Sequence, residues 1–365
     1  MLAYLIRRLL LIVPTLIGVM LLNFAIIQLA PGGPIEQVLS KISGQSTDIT
    51  ERITQNKDDL GPSIDSSISN NEQYRGAQGL DPEFIKELEV QFGLDKPLHE
   101  QFLIMMKNYL TFDFGDSFFR DRQVVDLVLE KMPVSISLGL WTTLLVYLIS
   151  IPLGIKKAIQ DGSSFDVWTS GVVIVGYAIP SFIFAVILLV VFAGGSYLTI
   201  LPLSGLTSEN WDKLSDVDKI LDYLKHIILP VTAMVIGGFA SLTMLTKNSF
   251  LEQIGQQYVI TAKAKGLTEK RILYGHVFRN AMLIVIAAFP ASFIGVLFTG
   301  SVLIEVIFSL DGLGRLGFEA VFNRDYPIIF GTLYFFTLLG LLMNIVGDIT
   351  YMLVDPRIDF ESREG

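Results

Sequence analysis

The chain has 365 residues, of which 51% are hydrophobic and 17% charged, and its mean hydropathy is +0.55. Because soluble chains of this size are typically about a quarter charged, this composition indicates a membrane protein and excludes an ordinary soluble enzyme. The chain has no cysteine, which excludes disulfides and thiolate chemistry. Its net charge of −9 argues against a nucleic-acid binder.

Six apolar runs are long enough to cross about 30 Å of hydrocarbon as helices. They predict an all-α membrane protein with six transmembrane helices, at Leu9–Ala30, Val134–Ile155, Gly171–Ala193, Ile227–Leu245, Ala281–Ile304 and Ile328–Leu353. The first run is longer than a signal-peptide core and ends in Pro31-Gly32-Gly33-Pro34, which favours a retained helix.

The orientation follows from the short loops that carry Lys and Arg. Lys156-Lys157 and the basic residues of the loop 246–280 lie in such loops, whereas the long segment 31–133 can be translocated largely regardless of its charge. We therefore expect both termini to be cytoplasmic and residues 31–133 to form a long extracytoplasmic insert after the first helix.

The pattern divides the chain into residues 1–30, with the first span, the insert 31–133, and a core 134–365 with five spans. Within the insert, 40–79 is polar and aperiodic, which predicts a flexible stretch. Residues 81–112 predict two amphipathic helices, which either cap the bundle or contact an extracytoplasmic partner. Their apolar stripes are Phe84, Ile85, Leu88 and Phe92, then Leu98, Phe102, Met105 and Tyr109.

Motifs for catalysis or nucleotide binding are missing from the sequence. No Gly-Lys pair exists, so the chain has no P-loop. Residues 312–317 match G-x-G-x-x-G, but they lie between two spans rather than in a βαβ unit, so we predict a tight re-entry turn. Only three histidines are present, with no G-x-S-x-G or H-E-x-x-H, and we predict no catalytic, cofactor or metal site.

Ionisable residues inside a span are functional candidates, and only two come close to being so placed. Glu305 lies at the outer end of the fifth run, and Asp348 lies near the inner end of the last. An ion-coupled secondary transporter is the alternative function, but it usually places carboxylates near the midplane of two repeated halves. We expect Asp348 to bond within the bundle or to reach the interface.

The inner loop 246–280 is too polar to span and too long for a turn. Residues 261–267 predict a short helix of small and basic residues that Gly266 ends, and Thr268 can cap a second helix. Small residues would allow close docking, and we expect Ala262 on the face that enters a partner's groove. The alternative is a basic loop set only by the positive-inside bias.

At this loop the sequence resembles a known family. The residues Tyr258 to Leu267, followed by Val277-Phe278-Arg279-Asn280-Ala281, are similar to the coupling loop of binding-protein-dependent ABC importer permeases of the dipeptide, oligopeptide and nickel group. Ile260 and Thr261 replace the first two residues of the general motif Glu-Ala-Ala-x-x-x-Gly, while Ala262 and Gly266 fit it. Similar stretches recur along the chain, and the long polar insert is closest to one peptide-permease branch. They include Tyr4–Leu9, Gly93–Pro97, Asp113–Ser117, Glu305–Ser309, Arg324–Pro327 and Val354–Arg357.

This resemblance implies a permease subunit of an ATP-driven importer for oligopeptides or peptide-like compounds in the bacterial inner membrane. It implies a second homologous permease, ATPase subunits on the cytoplasmic face that bind the ATP, and a periplasmic substrate-binding protein. The chain itself would hold no cofactor. The resemblance places ATPase coupling at Tyr258, Thr261, Ala262, Lys263, Ala264, Lys265, Gly266 and Leu267.

Overall fold

The structure is a computed structural model, and it describes residues 2–29, 95–193, 197–298 and 302–354. The predicted flexible stretch 40–79 and the first predicted amphipathic helix lie outside these ranges. The helices of the described residues are α1 (Leu2–Leu29), α2 (Leu98–Leu110), α3 (Val124–Ile159), α4 (Ser164–Ala178), α5 (Ser181–Phe192), α6 (Asp216–Ile254), α7 (Gln257–Ala264), α8 (Glu269–Ile272), α9 (Phe278–Phe298), α10 (Val302–Ile307), α11 (Leu313–Asn323) and α12 (Tyr326–Val354).

Five helical segments in the described part of the chain are long and apolar enough to cross a membrane, and a bent pair, α4 and α5, brings the number to six. The third predicted run, Gly171–Ala193, is not a single helix, since α4 and α5 meet at an angle of 92°. The bend falls at Pro180, which has no N–H to continue the helix. Ile179 before it is extended, with φ −86° and ψ 117°, as the proline ring favours.

The fifth predicted run is also divided. The helix α9 ends at Phe298 and α10 begins at Val302, so the residues up to Ile304 do not belong to the same helix as Ala281. Residues 299–301 lie outside the described ranges.

One compact unit comprises Met1–Pro14, Leu127–Glu319 and Phe335–Gly365. The helices α3 and α6 cross closely in this unit, where a Cβ on Gly154 would lie 2.6 Å from the Cβ of Thr246 and 2.8 Å from the carbonyl oxygen of Thr243. Within this unit Arg8 forms an ion pair with Asp348. The expectation that Asp348 bonds within the bundle is therefore confirmed.

A second compact unit comprises Thr15–Asp126 and Ala320–Tyr334. The predicted second amphipathic helix is α2, which Pro97 precedes, and its Phe102 ring packs 5.5 Å from that of Phe24. Tyr109 is buried against Phe114 and Tyr334, with ring centroids 5.0 and 5.5 Å away. Burial raises the pKa of the Tyr109 phenol, which keeps it neutral in this cluster.

Candidate functional site

The helix α7 forms the centre of the predicted coupling loop, and a glycine ends it. Gly266 has φ +76°, a left-handed conformation that favours glycine. Its N–H donates to the carbonyl of Lys263 at 2.9 Å, and the N–H of Leu267 donates to the carbonyl of Ala262 at 3.2 Å. These two bonds form a Schellman motif, so α7 ends in a defined geometry and the chain turns sharply after it.

One face of α7 is seated on the rest of the chain. Val259 and Ala262 are 2% and 7% exposed, and they pack in a cluster with Ala158 of α3, Phe250 of α6 and Ala281 of α9. The prediction that Ala262 lies on the docking face is therefore wrong. On an eight-residue helix one face must pack inward, and the sequence of small residues alone does not show which one.

The opposite face of α7 is exposed and consists of Ile260, Thr261 and Ala264, which we call the outer face. Ile260 is 55% exposed although it is a large apolar residue. Lys263, Lys265 and Gly266 are exposed beside it, while Tyr258 and Leu267 are half-buried against the cluster. Of the predicted coupling residues, Thr261, Lys263, Ala264, Lys265 and Gly266 are accessible to a partner.

The segment after α7 leads directly into the fifth span. Thr268 stands at the N-cap of α8 as predicted, but its side chain makes no capping hydrogen bond. A π-helical turn, Leu273–Val277, joins α8 to α9, and Glu269–Gly295 forms one long apolar segment. We call residues 257–277 the coupling segment.

A cavity of about 490 Å³ lies beside α7. Its apolar wall comes from the ends of α3 and α6 and from the coupling segment, and includes Ile159, Ile254 and Tyr274. Charged residues Lys263, Glu269 and Lys270 also line it. Such a cavity can accept an apolar side chain of another protein, with polar residues of that protein beside the charged residues of the lining.

A buried ionic cluster joins α3, α4 and α6 in the same unit. The Lys157 side chain is fully buried, and its Nζ lies 2.9 Å from Oδ1 of Asp166. Lys157 also donates to the hydroxyls of Thr169 at 2.9 Å and Ser170 at 2.7 Å. Lys247 lies 2.8 Å from Asp166 and 2.8 Å from the more exposed Asp161.

Sequence reasoning missed this cluster. Lys157 and Lys247 count as positive-inside residues, and that rule treats them as loop charges. The signal that could have found them is the presence of two acids, Asp161 and Asp166, in a short loop between apolar runs. Buried charges need partners, so the four side chains hold three helix ends in one arrangement.

The prediction of a tight re-entry turn over the glycine-rich run 312–317 is wrong, because residues 313–317 form the start of α11 and only Gly312 precedes the helix. A carboxylate of the chain itself lies against this helix start. Glu305 is fully buried, and its Oε2 accepts the backbone N–H of Arg315 at 2.7 Å. A Cβ on Gly312 would lie 2.6 Å from this carboxylate. Ser135 donates to Oε1 of Glu305 at 3.3 Å and accepts from the N–H of Leu313 at 2.8 Å. The first turn of α11 thus already holds an anion, Glu305.

The architecture is that of a multi-span helical membrane protein in which the loop 246–280 contains a helix, α7, packed against the ends of the long helices. The family model described as "Binding-protein-dependent transport system inner membrane component" matches residues 150–360, and the chain belongs to this family. It is therefore the membrane-spanning permease subunit of an ABC importer in the inner membrane, rather than an ion-coupled secondary transporter.

Individual relatives are similar over nearly the whole chain. The "Peptidoglycan transport system permease protein YejB" of Agrobacterium fabrum is 58% identical, with 99% of each chain covered. The "Inner membrane ABC transporter permease protein YejB" of Escherichia coli O157:H7 is 57% identical, covering 99% of this chain and 100% of that one. The "Oligopeptide transport system permease protein AppB" of Bacillus subtilis is 33% identical, again covering 99% and 100%.

These findings confirm the resemblance read from the sequence, and two of these relatives are YejB permeases. The expectation that this chain is not an enzyme is confirmed, because the family consists of permease subunits. Membership implies an ATPase and a substrate-binding protein as partners. The roles of single residues in the coupling segment stay predictions.

Proposed function

We propose that this chain is a permease for oligopeptides or peptide-like compounds. We further propose that a partner ATPase contacts the outer face of α7 and displaces this helix when the ATPase changes conformation. The observation that carries the proposal is the exposure of Ile260, Thr261 and Ala264 on a helix whose other face is buried in this chain. A helix that packs one face on its own chain leaves the opposite face available to another protein.

The coupling segment supports a mechanical role. The buried face of α7 contacts the ends of α3, α6 and α9, so a displacement of α7 by a partner moves these helices together. The neighbouring cavity offers an apolar wall with charged residues for a side chain of that partner. ATP binds to the partner subunits, since the chain has no P-loop.

The other parts of the proposal concern orientation, partners and substrate. Both termini are cytoplasmic in our proposal, which the short basic loops support. A second homologous permease completes the pore, and a periplasmic binding protein delivers the substrate. The relatives' names mention peptidoglycan and oligopeptide transport, and both kinds of compound contain peptide bonds.

The test compares substitutions on the two faces of α7. Ala264→Asp places a charge on the outer face, and we expect normal amounts of folded protein, less ATPase co-purified and little peptide uptake. Ala262→Asp places the same charge in the buried cluster, and we expect loss of folded protein because a buried charge has no partner there. Arg271→Ala is exposed and outside the cavity lining, and serves as a neutral control.

Gly266 provides an independent test of the same helix end. Gly266→Val forces a β-branched residue into a left-handed conformation at a cost on the order of 1 kcal/mol or more, and should misdirect α7. Gly266→Asn tolerates this conformation and should keep uptake. Full ATPase binding and uptake by both Ala264→Asp and Gly266→Val would show that the segment is only a basic loop.

Cysteine labelling tests the orientation. Cysteines replace Ser69 and Ser362 in this cysteine-free chain, and a membrane-impermeant thiol reagent is added to intact spheroplasts. We expect the first position to react and the second to react only after lysis. The reverse pattern would refute the proposed orientation.

A further inference from the structure

The buried ionic cluster that joins α3, α4 and α6 has no part in the function proposed above, although it lies beside the seat of α7. Ala158, the residue after Lys157 in α3, belongs to the apolar cluster that contacts α7. Phe250, which lies about one helical turn after Lys247 in α6, belongs to it as well. The two lysines are therefore on the same helix ends that a displaced α7 would move.

The helix α4, in contrast, does not contribute to that apolar cluster. None of the residues that the structure describes in α4 or α5 is a member of it. Near the end of α4, a Cβ on Gly176 would lie 3.5 Å from Cγ1 of Ile236 in α6, which is an ordinary apolar contact. The start of α4 is instead joined to α3 and α6 through a carboxylate, that of Asp166.

Asp166 is held from both neighbouring helices. Its carboxylate lies 2.9 Å from Nζ of Lys157 and accepts hydrogen bonds of 2.9 and 2.8 Å from Nζ of Lys247. The ammonium group of Lys157 also donates to the main-chain carbonyl of Asp166 at 2.9 Å, and to the hydroxyls of Thr169 and Ser170. Within the described parts of the chain, the polar partners of Lys157 thus all belong to α4. We call the contacts of Asp166 with the two lysines the Asp166 link.

A link of this kind transmits displacement better than apolar packing does. Apolar contacts are non-directional, so one helix can slide on another with little change in the buried area. A buried carboxylate between two ammonium groups loses its partners when it shifts, and an unpaired buried charge is strongly unfavourable. The helix α4 must therefore follow α3 and α6 when these two helices move.

We infer that Asp166 is a positioning residue of the transport cycle, because it makes the bent third span move with α3 and α6 when α7 is displaced. The inference rests on the proposed role of α7. Asp166 acts through α4, which continues past the bend at Pro180 into α5. The helix α5 packs in one apolar cluster with α6 and α10. The Asp166 link thus extends the moving body from the seat of α7 to the helix that follows the break in the fifth predicted run.

Two variants separate the link from the fold. Lys157→Met combined with Asp166→Asn removes both charges of the buried pair, and Lys247 keeps Asp161 as its partner at 2.8 Å. Replacing both members of a buried ion pair by uncharged residues of similar volume is often neutral for stability. The milder variant, Lys247→Met, cuts the link to α6 only and leaves Asp166 paired with Lys157.

The importer is reconstituted in vesicles with its ATPase and binding protein, and uptake of trialanine and hydrolysis of ATP are measured in the same sample. We expect the double variant to assemble with a normal amount of ATPase and to hydrolyse ATP, while uptake per ATP hydrolysed falls about fivefold or more. Lys247→Met should lower the same ratio by a smaller factor. A merely structural role would reduce the amount of assembled importer, so that uptake and hydrolysis would fall together.

The matched control removes an ion pair of the same unit that does not touch α4. Arg8→Met combined with Asp348→Asn separates α1 from α12 in the same way, and it should keep the wild-type uptake per ATP hydrolysed. An equal fall of the ratio in this control would overturn the inference, because the loss of any ion pair between helices would then have the same effect.

A distance measurement tests the link without transport. Ser164 on α4 and Glu252 on α6 are exposed, and both are replaced by cysteine in this cysteine-free chain to carry spin labels. With the Asp166 link intact, we expect the same separation of the labels before and after a non-hydrolysable ATP analogue binds. With Lys157→Met and Asp166→Asn added, the separation should shift or broaden when the analogue binds. An unchanged separation in both backgrounds would refute the role of the link.

The outcomes separate this inference from the proposed function. If the importer without substitutions hydrolyses ATP but takes up no trialanine, the proposed peptide transport is contradicted, and the distance measurement still decides on the link. If that importer takes up trialanine and both link variants keep its uptake per ATP hydrolysed, the positioning role is refuted and the transport is not. If the double variant fails to assemble, an unchanged ratio in Lys247→Met refutes the positioning role in the same way.

Discussion

The crossing of α3 and α6 at Gly154 allows a quantitative prediction. Gly154→Ala adds a single carbon, and that carbon would lie 2.6 Å from the Cβ of Thr246. Trimming Thr246 to Ala would not relieve the contact, because its Cβ would remain and the carbonyl oxygen of Thr243 lies 2.8 Å from the same point. The two helices must therefore separate.

The size of the separation follows from the distances. Ordinary Cβ contacts begin at 3.4 Å, so the helices must move apart by about 0.8 Å, the difference between 3.4 and 2.6 Å. Forcing an extra carbon into a packed crossing typically costs about 1–3 kcal/mol. The better helix propensity of alanine returns up to about 1 kcal/mol of this cost.

The control for helix propensity is Gly171→Ala on α4, where an added Cβ would have no atom within 4 Å. Both variants are purified in detergent, and the melting temperature is measured from the loss of the monodisperse chromatographic peak. We expect Gly154→Ala to melt several degrees below the wild type and Gly171→Ala to melt at or slightly above it. Equal melting temperatures for the two variants would refute the claim that this crossing is sterically limiting.

Two further predictions concern buried carboxylates. Asp166→Asn removes the negative charge that pairs with the fully buried Lys157, and it should cost about 3–5 kcal/mol of stability. Asp161→Asn, at a half-exposed position, should cost only about 0–1 kcal/mol. The melting temperatures of the two variants compare these costs. Asp325→Ala removes the acceptor that lies 2.5 Å from the hydroxyl of Ser117, and it should lower the melting temperature by the equivalent of about 1–3 kcal/mol; an unchanged value would contradict the importance of that bond.

Local rules explain which features the sequence predicted. The apolar runs located the spans because transfer into hydrocarbon depends on the local composition of about 20 residues. Gly266 marked the end of α7 because left-handed backbone is a property of a single residue. Pro180 lies inside the third apolar run, but the mean hydropathy of about 20 residues changes little with one proline. The hydropathy pattern therefore did not predict the bend.

The features that sequence reasoning missed depend on contacts between distant residues. Ala262 and Ala264 are the same residue type two positions apart, and only the packing of α7 on the ends of three helices assigns one to the core and the other to the surface. Likewise, Lys157 is buried and Lys156 exposed, although the positive-inside rule treats them alike. Tertiary packing decides such cases, and residue type does not.

The π-helical turn Leu273–Val277 acts together with the packing of Val259 and Ala262 to set the direction in which α7 faces. A π turn contains an additional residue compared with an α-helical turn, and each α-helical residue rotates the chain by about 100° about the helix axis. Deleting one residue here would restore regular α-helix and rotate α7 and α8 by roughly that angle around the axis of α9. Ile260 and Ala264 would then point to another side of the molecule with every side chain unchanged. The direction in which the outer face of α7 points therefore depends on the number of residues in this turn. Substitution scans do not change that number, whereas single-residue insertions and deletions do.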